Sequence, residues 1–282
     1  WWASSSNGGS AWGAWQPVGG VTPMPASQGQ PSLAVVSGKL YLGYLDASGT
    51  INIVSNATPA SSTNNNSWSS YTAIPSQSAS NDFSLVSESI GGTSNQLSVY
   101  AVNASSSQLI KSYITPTASK PAWVTTSALK SAGSSPTALT VGQGFTTAQI
   151  GARTYLAWQS AGSSPGSPII TIATTDGSTG NSANGWLPQN LTTQNLTTAA
   201  DLTGFSLNGS ASGLTLSTLS SGQPGVLQAA LLAPQTSTSA LTLTLQQATS
   251  LDLPSGSSGL ASLSDPINAS TTDLVLAGFD GG

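Results

Sequence analysis

Nine carboxylates and five basic groups are all the ionic chemistry that these 282 residues carry, and the chain has neither histidine nor cysteine. General base catalysis by the side chain best suited to neutral pH is therefore excluded. Disulfides and thiolate-bound metals are excluded with it. What remains by residue type is carboxylate chemistry, in which an acid and a base flank a glycosidic bond. Asp46, Asp82, Glu88, Asp176, Asp265, Asp273 and Asp280 are the candidates. Asp46 and Asp280 stand at equivalent places in "LGYLDASG" and "LAGFDGG". Repetition of that kind argues for a turn role, which Asp favours. Glu88, the only glutamate, alternates with Ser87 and Ser89 and has no such explanation. No acid–base pair can be named, so the expectation is a chain that is not an enzyme.

Aromatic faces are the other available chemistry. Trp1, Trp2, Trp15, Trp158, Tyr44 and Tyr100 are candidate stacking surfaces for a ligand, with abundant Asn, Gln, Ser and Thr to hydrogen-bond its hydroxyls. Four Lys and one Arg cannot neutralise a phosphate backbone, so nucleic acid is not an expected partner. The same scarcity predicts binding that is independent of charge. No cofactor and no metal is expected. "TTDGSTGN" (174–181) offers oxygen ligands but a single carboxylate, Asp176, and reads as a turn.

The elements that must position these residues are strands. Helical periodicity is nearly absent, and short alternating runs are punctuated by Gly, Pro, Asn and Ser. "PSLAVV" (31–36), "GKLYLGYLDASG" (38–49), "TINIVSN" (50–56) and "SWSSYTAIP" (67–75) make one quartet. A second follows at 83–90, 96–106, 108–114 and 122–129, and a third at 145–151, 153–162, 168–178 and 185–192. A fourth copy shows three runs, at 213–219, 225–233 and 240–250, and a fifth shows two, at 259–265 and 272–282. A Trp opens each last strand at 15, 68, 123 and 186, with intervals of 53, 55 and 63 residues. Quartets at such a period predict an all-β, five-bladed β-propeller of four-stranded antiparallel blades.

Four of the eight Trp lie in the first fifteen residues. Joined end to start, the chain reads "LVLAGFDGG-WWASSSNGGSAWGAWQPV", which matches the second to fourth strands of the first quartet. Residues 1–18 are thus expected to complete the blade begun at 257–282, with Trp2 and Trp12 packed inside it. The whole chain, 1–282, is then one domain with blades near 26–75, 80–129, 136–192 and 202–250, plus the shared one.

"SSNGGSAW" (5–12) spaces Ser5, Asn7, Gly9 and Trp12 as in the Asp-box, Ser-X-Asp-X-Gly-X-Thr-Trp, with Asn7 for Asp and Ala11 for Thr. "TTDGSTGNSANGW" (174–186) is a stretched version around Asp176 and Trp186. The chain therefore resembles the Asp-box, or BNR-repeat, propellers, which include sialidases and lectin-like proteins. The resemblance implies a structural role for these residues, the Asp capping a turn and the Trp filling the blade core. It also implies packing for Trp68 and Trp123. A sialidase needs three Arg and a Tyr–Glu nucleophile pair, and Arg153 is the only arginine.

Charged residues make up 5% of the chain, far below the roughly 25% of an ordinary soluble protein. A neutral hydroxyl- and amide-rich surface with few Lys is expected outside the cell or at its surface. No run of 18 apolar residues is present to span a membrane as a helix. A chain that starts at Trp1 is expected to have lost a leader or to come from a longer precursor. Sequons occur at Asn56, Asn65, Asn103, Asn190, Asn195, Asn208 and Asn268. The functional expectation is a non-catalytic, extracellular carbohydrate-binding or adhesive module, its partners glycans or copies of itself. The alternative is a structural subunit of a surface array, sheath or filament. A glycoside hydrolase is the third reading.

Overall fold

The structure is a computed structural model. It describes residues 13–14, 18, 28–57, 68–69, 72–75, 79–90, 94–118, 121–160, 169–175, 182–191, 202–220, 225–253, 257–264 and 274–280. The first sheet joins β1 (Gln28–Val36), β2 (Lys39–Leu45), β3 (Ile51–Asn56) and β4 (Thr72–Ala73) in chain order. The second joins β5 (Ala79–Ile90), β6 (Ser94–Asn103), β7 (Leu109–Ile114) and β8 (Val124–Thr125). The third holds β9 (Val141–Ile150), β10 (Arg153–Ser160), β11 (Ile170–Thr175) and β12 (Trp186–Leu191). The fourth holds β13 (Leu202–Ser210), β14 (Gly213–Ser220), β15 (Gly225–Thr236) and β16 (Leu241–Leu253). β17 (Ser257–Ser264) pairs with β18 (Leu274–Asp280) as a two-stranded sheet. The described residues contain no helix. Successive four-stranded antiparallel sheets in meander order are the fold class of a β-propeller, as the strand quartets predict.

Hairpin chemistry sets the registers. Ser37 and Gly38 both take positive φ, 52° and 77°, between β1 and β2. That is the two-residue turn whose twist suits paired strands. Between β2 and β3 the Asp46 carboxylate closes the turn. Its Oδ1 accepts from Ser48 N at 2.9 Å, Ser48 Oγ at 2.6 Å and Thr50 N at 3.1 Å, and its Oδ2 from Asn52 Nδ2 at 2.9 Å. The turn role expected of Asp46 is met.

The chain forms two compact units, Trp1–Ser106 with Ile110–Ser127, and Ser107–Leu109 with Ala128–Gly282. In the first, strand alternation sends Tyr41, Leu45, Ile51 and Ile53 of the first sheet against Leu85, Leu97, Val99 and Ile110 of the second. The opposite face of the first sheet carries Leu42, Tyr44, Val54 and Trp68, with Val18 packed on it. Both faces are therefore apolar. The approach of the two sheets is close, since a Cβ on Gly43 would lie 2.9 Å from Phe83 Cε2 and 3.1 Å from Leu85 Cδ1. In the second unit, Tyr155, Ile170, Ile172 and Leu187 pack with Leu207, Leu214, Leu216 and Leu232.

Two expectations are corrected. The fourth sheet has a first strand, β13, where only three runs were legible. Its Gly204 and Gly209 interrupt the alternation that marks a strand. Gly209 is there for a reason of space: a Cβ would sit 1.9 Å from Gln149 O of β9. The last strands of the first two quartets are also shorter than their runs. β4 and β8 keep two residues each, and Trp68 joins the sheet through an isolated bridge to Asn56. The closure of a blade by residues 1–18 falls almost wholly outside the described residues.

Candidate functional site

Those of the expected stacking residues that the structure describes do not form an open site. Trp1, Trp2 and Trp15 lie outside the described residues. Tyr44, Tyr100 and Trp158 are 1%, 1% and 2% exposed, so none of their rings offers a face to a ligand. Alternation could not reveal this, because each of these residues lies in a strand packed on both faces. Of the structural set, Trp186 is buried and opens β12, while Ser5, Asn7, Gly9, Trp12 and Asp176 are outside the described residues. Trp68 is buried and Trp123 half-buried against the core between the first two sheets. Among the sequons, Asn56 is fully buried within β3 and cannot accept a glycan in the folded chain. Asn103 Oδ1 accepts from the backbone N–H and hydroxyl of Ser105, at 3.0 and 2.7 Å. Asn190 Oδ1 accepts from Thr171 Oγ1 at 2.7 Å. Asn208 is half-buried in β13, and Asn65, Asn195 and Asn268 are outside the described residues.

Glu88 has found its explanation. It lies in β5 opposite Gln96 of β6, and its carboxylate is enclosed. Oε2 accepts from Lys111 Nζ at 2.6 Å and from Ser98 Oγ at 2.5 Å, and Oε1 accepts from Tyr100 OH at 2.7 Å. Lys111 Nζ also lies 5.3 Å from the Tyr100 ring centre and 5.8 Å from that of Tyr113. Burial lowers the pKa of Lys111, opposed by the charge and hydrogen bond of Glu88. Tyr100 and Glu88 do touch, as a tyrosine nucleophile and its base would. With both sealed and an ammonium beside them, their chemistry is that of a closed ion pair. Asp82, in β5, and Asp280, in β18, are strand residues; Asp265 and Asp273 are outside the described residues.

An open site lies in the first unit, lined from the first two sheets. It is a cavity of about 320 Å³. Lys39 and Tyr41 of β2, with Ser55 of β3, come from one sheet; Ile114 of β7 and the segment leading into β8, with Pro116, Pro121 and Trp123, come from the other. Tyr41 stands opposite Ser55 in the β2–β3 register, which places ring and hydroxyl side by side. Ser69 and Thr72 add two further hydroxyl groups. The Lys39 ammonium lies 5.5 Å from the Tyr41 ring centre. Burial raises the Tyr41 phenol above its ordinary value, so it stays a neutral donor. Tyr41 is itself buried, 8% exposed, so the aromatic surface open to a ligand is that of half-buried Trp123; with the prolines, hydroxyls and one cation it can hold a compact polar ring by stacking and hydrogen bonding. Among the described residues, no carboxylate lines it.

Sequence reasoning missed this site because its walls come from stretches up to about eighty residues apart. Trp123 was legible only as a packing residue, and Tyr41 as one more alternating strand position. The proline pair flanking 117–120 was the available signal, since prolines hold a segment off the sheet.

No family model and no curated protein matches the chain. Among solved structures, it is similar to the SapL1 lectin in complex with α-methyl fucoside, with a TM-score of 0.49, 12% identity, and coverage of 89% of this chain and 72% of that one. It is similar to a variant of the Aleuria aurantia lectin in complex with Fucα1-6GlcNAc, with a TM-score of 0.48, 13% identity, and coverage of 90% and 92%. It is also similar to an α-L-arabinofuranosidase of Clostridium thermocellum, with a TM-score of 0.43, 10% identity, and coverage of 81% and 73%.

Proposed function

We propose that the chain is a non-catalytic, extracellular carbohydrate-binding module whose ligand occupies the groove between its first two sheets. The observation that carries this is the groove's lining, where half-buried Trp123 and the edge of Tyr41 join three hydroxyl side chains and, among the described residues, no carboxylate. A sugar presents both an apolar ring face and a rim of hydroxyls, and this surface answers both. The only described glutamate is spent on Lys111, which supports binding without hydrolysis.

The test is a glycan panel followed by calorimetry on the hits. Ala122 is exposed and lines the groove, so the neutral, longer side chain of Ala122→Gln narrows it without adding charge. It should weaken binding by at least about tenfold, the order expected for loss of a stacked ring. Trp123→Ala should do the same. Hits that bind both variants unchanged would place the site elsewhere. Chromogenic glycosides should show no turnover, and turnover lost in Glu88→Gln would restore the hydrolase reading. The second reading, a subunit of a surface array, draws on Leu33 and Val35, which are 60% and 56% exposed on β1 at the end of its sheet. Sedimentation of the same samples with and without sugar separates assembly from glycan binding.

A further inference from the structure

We propose that the groove selects sugars that carry an anionic substituent, a ring carboxylate or sulfate seated on Lys39. This deepens the glycan reading and rests on it. Among the described residues, Lys39 is the only charged side chain lining the groove. The two carboxylates whose side chains are described are committed elsewhere: Glu88 to Lys111 at 2.6 Å, and Asp46 to Ser48, Thr50 and Asn52. What holds the Lys39 ammonium is a ring face, 5.5 Å away. A ring face attracts the cation without saturating its three N–H donors. Those donors, on a half-buried side chain of the groove lining, are poised for an anionic acceptor, which a neutral sugar lacks. An anionic acceptor there adds the attraction of two full charges to the hydrogen bond, which a sugar hydroxyl cannot.

Counting charges along the sequence predicts binding independent of charge. The fold changes that expectation by isolation: one cation in a groove whose described lining holds no acid suffices for one anion. The chain's net charge of −4 repels anions in general, so any anion preference must be local to such a site.

The experiment is calorimetric titration of the full chain with three probes: tetragalacturonate, neutral galactotetraose and a sulfated carrageenan tetrasaccharide. At least one anionic probe should bind about tenfold tighter than the neutral one at low salt, and the margin should shrink at about 0.5 M NaCl, where screening reaches within a few ångströms. Lys39→Met should bring the anionic-to-neutral ratio to about one, and Lys39→Arg should keep it. The tighter of the two anions identifies carboxylate or sulfate as the group recognised. Equal binding of all three sugars, or a preference that survives Lys39→Met, overturns this inference and leaves the glycan reading standing. Absence of binding by all three, with Ala122→Gln no different from the parent, overturns both.

Discussion

Lys111 and Glu88 show how a residue can look catalytic in sequence and be structural in the fold. The single glutamate stood out because nothing local explained it. Its partners come from β6 and β7, and no spacing rule links 88 to 98, 100 and 111. Removing one member of such a buried pair leaves the other uncompensated. Lys111→Met should therefore destabilise the fold by about 3–5 kcal/mol in urea titrations, and adding Glu88→Gln should recover much of the loss. A single-variant cost under about 1 kcal/mol would mean that water reaches the pair. Asp46 makes a different case, since its turn role was legible from repetition. Burial pushes its carboxyl up, but hydrogen bonds from Ser48, Asn52 and the Thr50 and Ser48 amides outweigh this and hold it below its ordinary value. A carboxyl held low contributes stability above the ordinary carboxylate range and loses it as pH falls through the folded value. Asp46→Asn should therefore narrow the fall in Tm between about pH 5 and pH 3, where an Asp titrates. An equal fall in both proteins would remove Asp46 from the account.

At the scale of the element, alternation and turn residues fixed most strands within a few positions, because both have direct backbone causes. β13 escaped because its glycines answer a neighbour rather than a pattern. The distances rank the consequences. At Gly209 an added methyl meets backbone, Gln149 O at 1.9 Å, while at Gly43 it meets the ring of Phe83 and the side chain of Leu85. Side chains can rotate away and a paired strand cannot. Gly209→Ala should therefore cost more than Gly43→Ala, at or above the roughly 1–3 kcal/mol usual for overpacking. The reverse order in thermal unfolding would show that β13 can shift off β9.

For the whole molecule, sheet order and number were legible because they repeat, whereas the groove was not. A repeat states what every sheet shares, and a binding surface is what one sheet does differently. The first two sheets differ from the others by Lys39 and by the proline-bounded segment entering β8, and only folding brings these together.

The enclosed ion pair also bears on how such a chain finds its structure. Strands built from the same alternating Leu, Ser, Thr and Val can join wrong neighbours, and mispairing is a characteristic error of repeat proteins. Glu88 and Lys111 sit on two strands flanking β6 and meet across it. A slip of one residue would turn Lys111 to the side that Ile110 and Ser112 occupy and separate two charges away from water. That error costs several kcal/mol, whereas a slip among leucines costs far less. One pair of charges thus serves as an address label for the first three strands of its sheet.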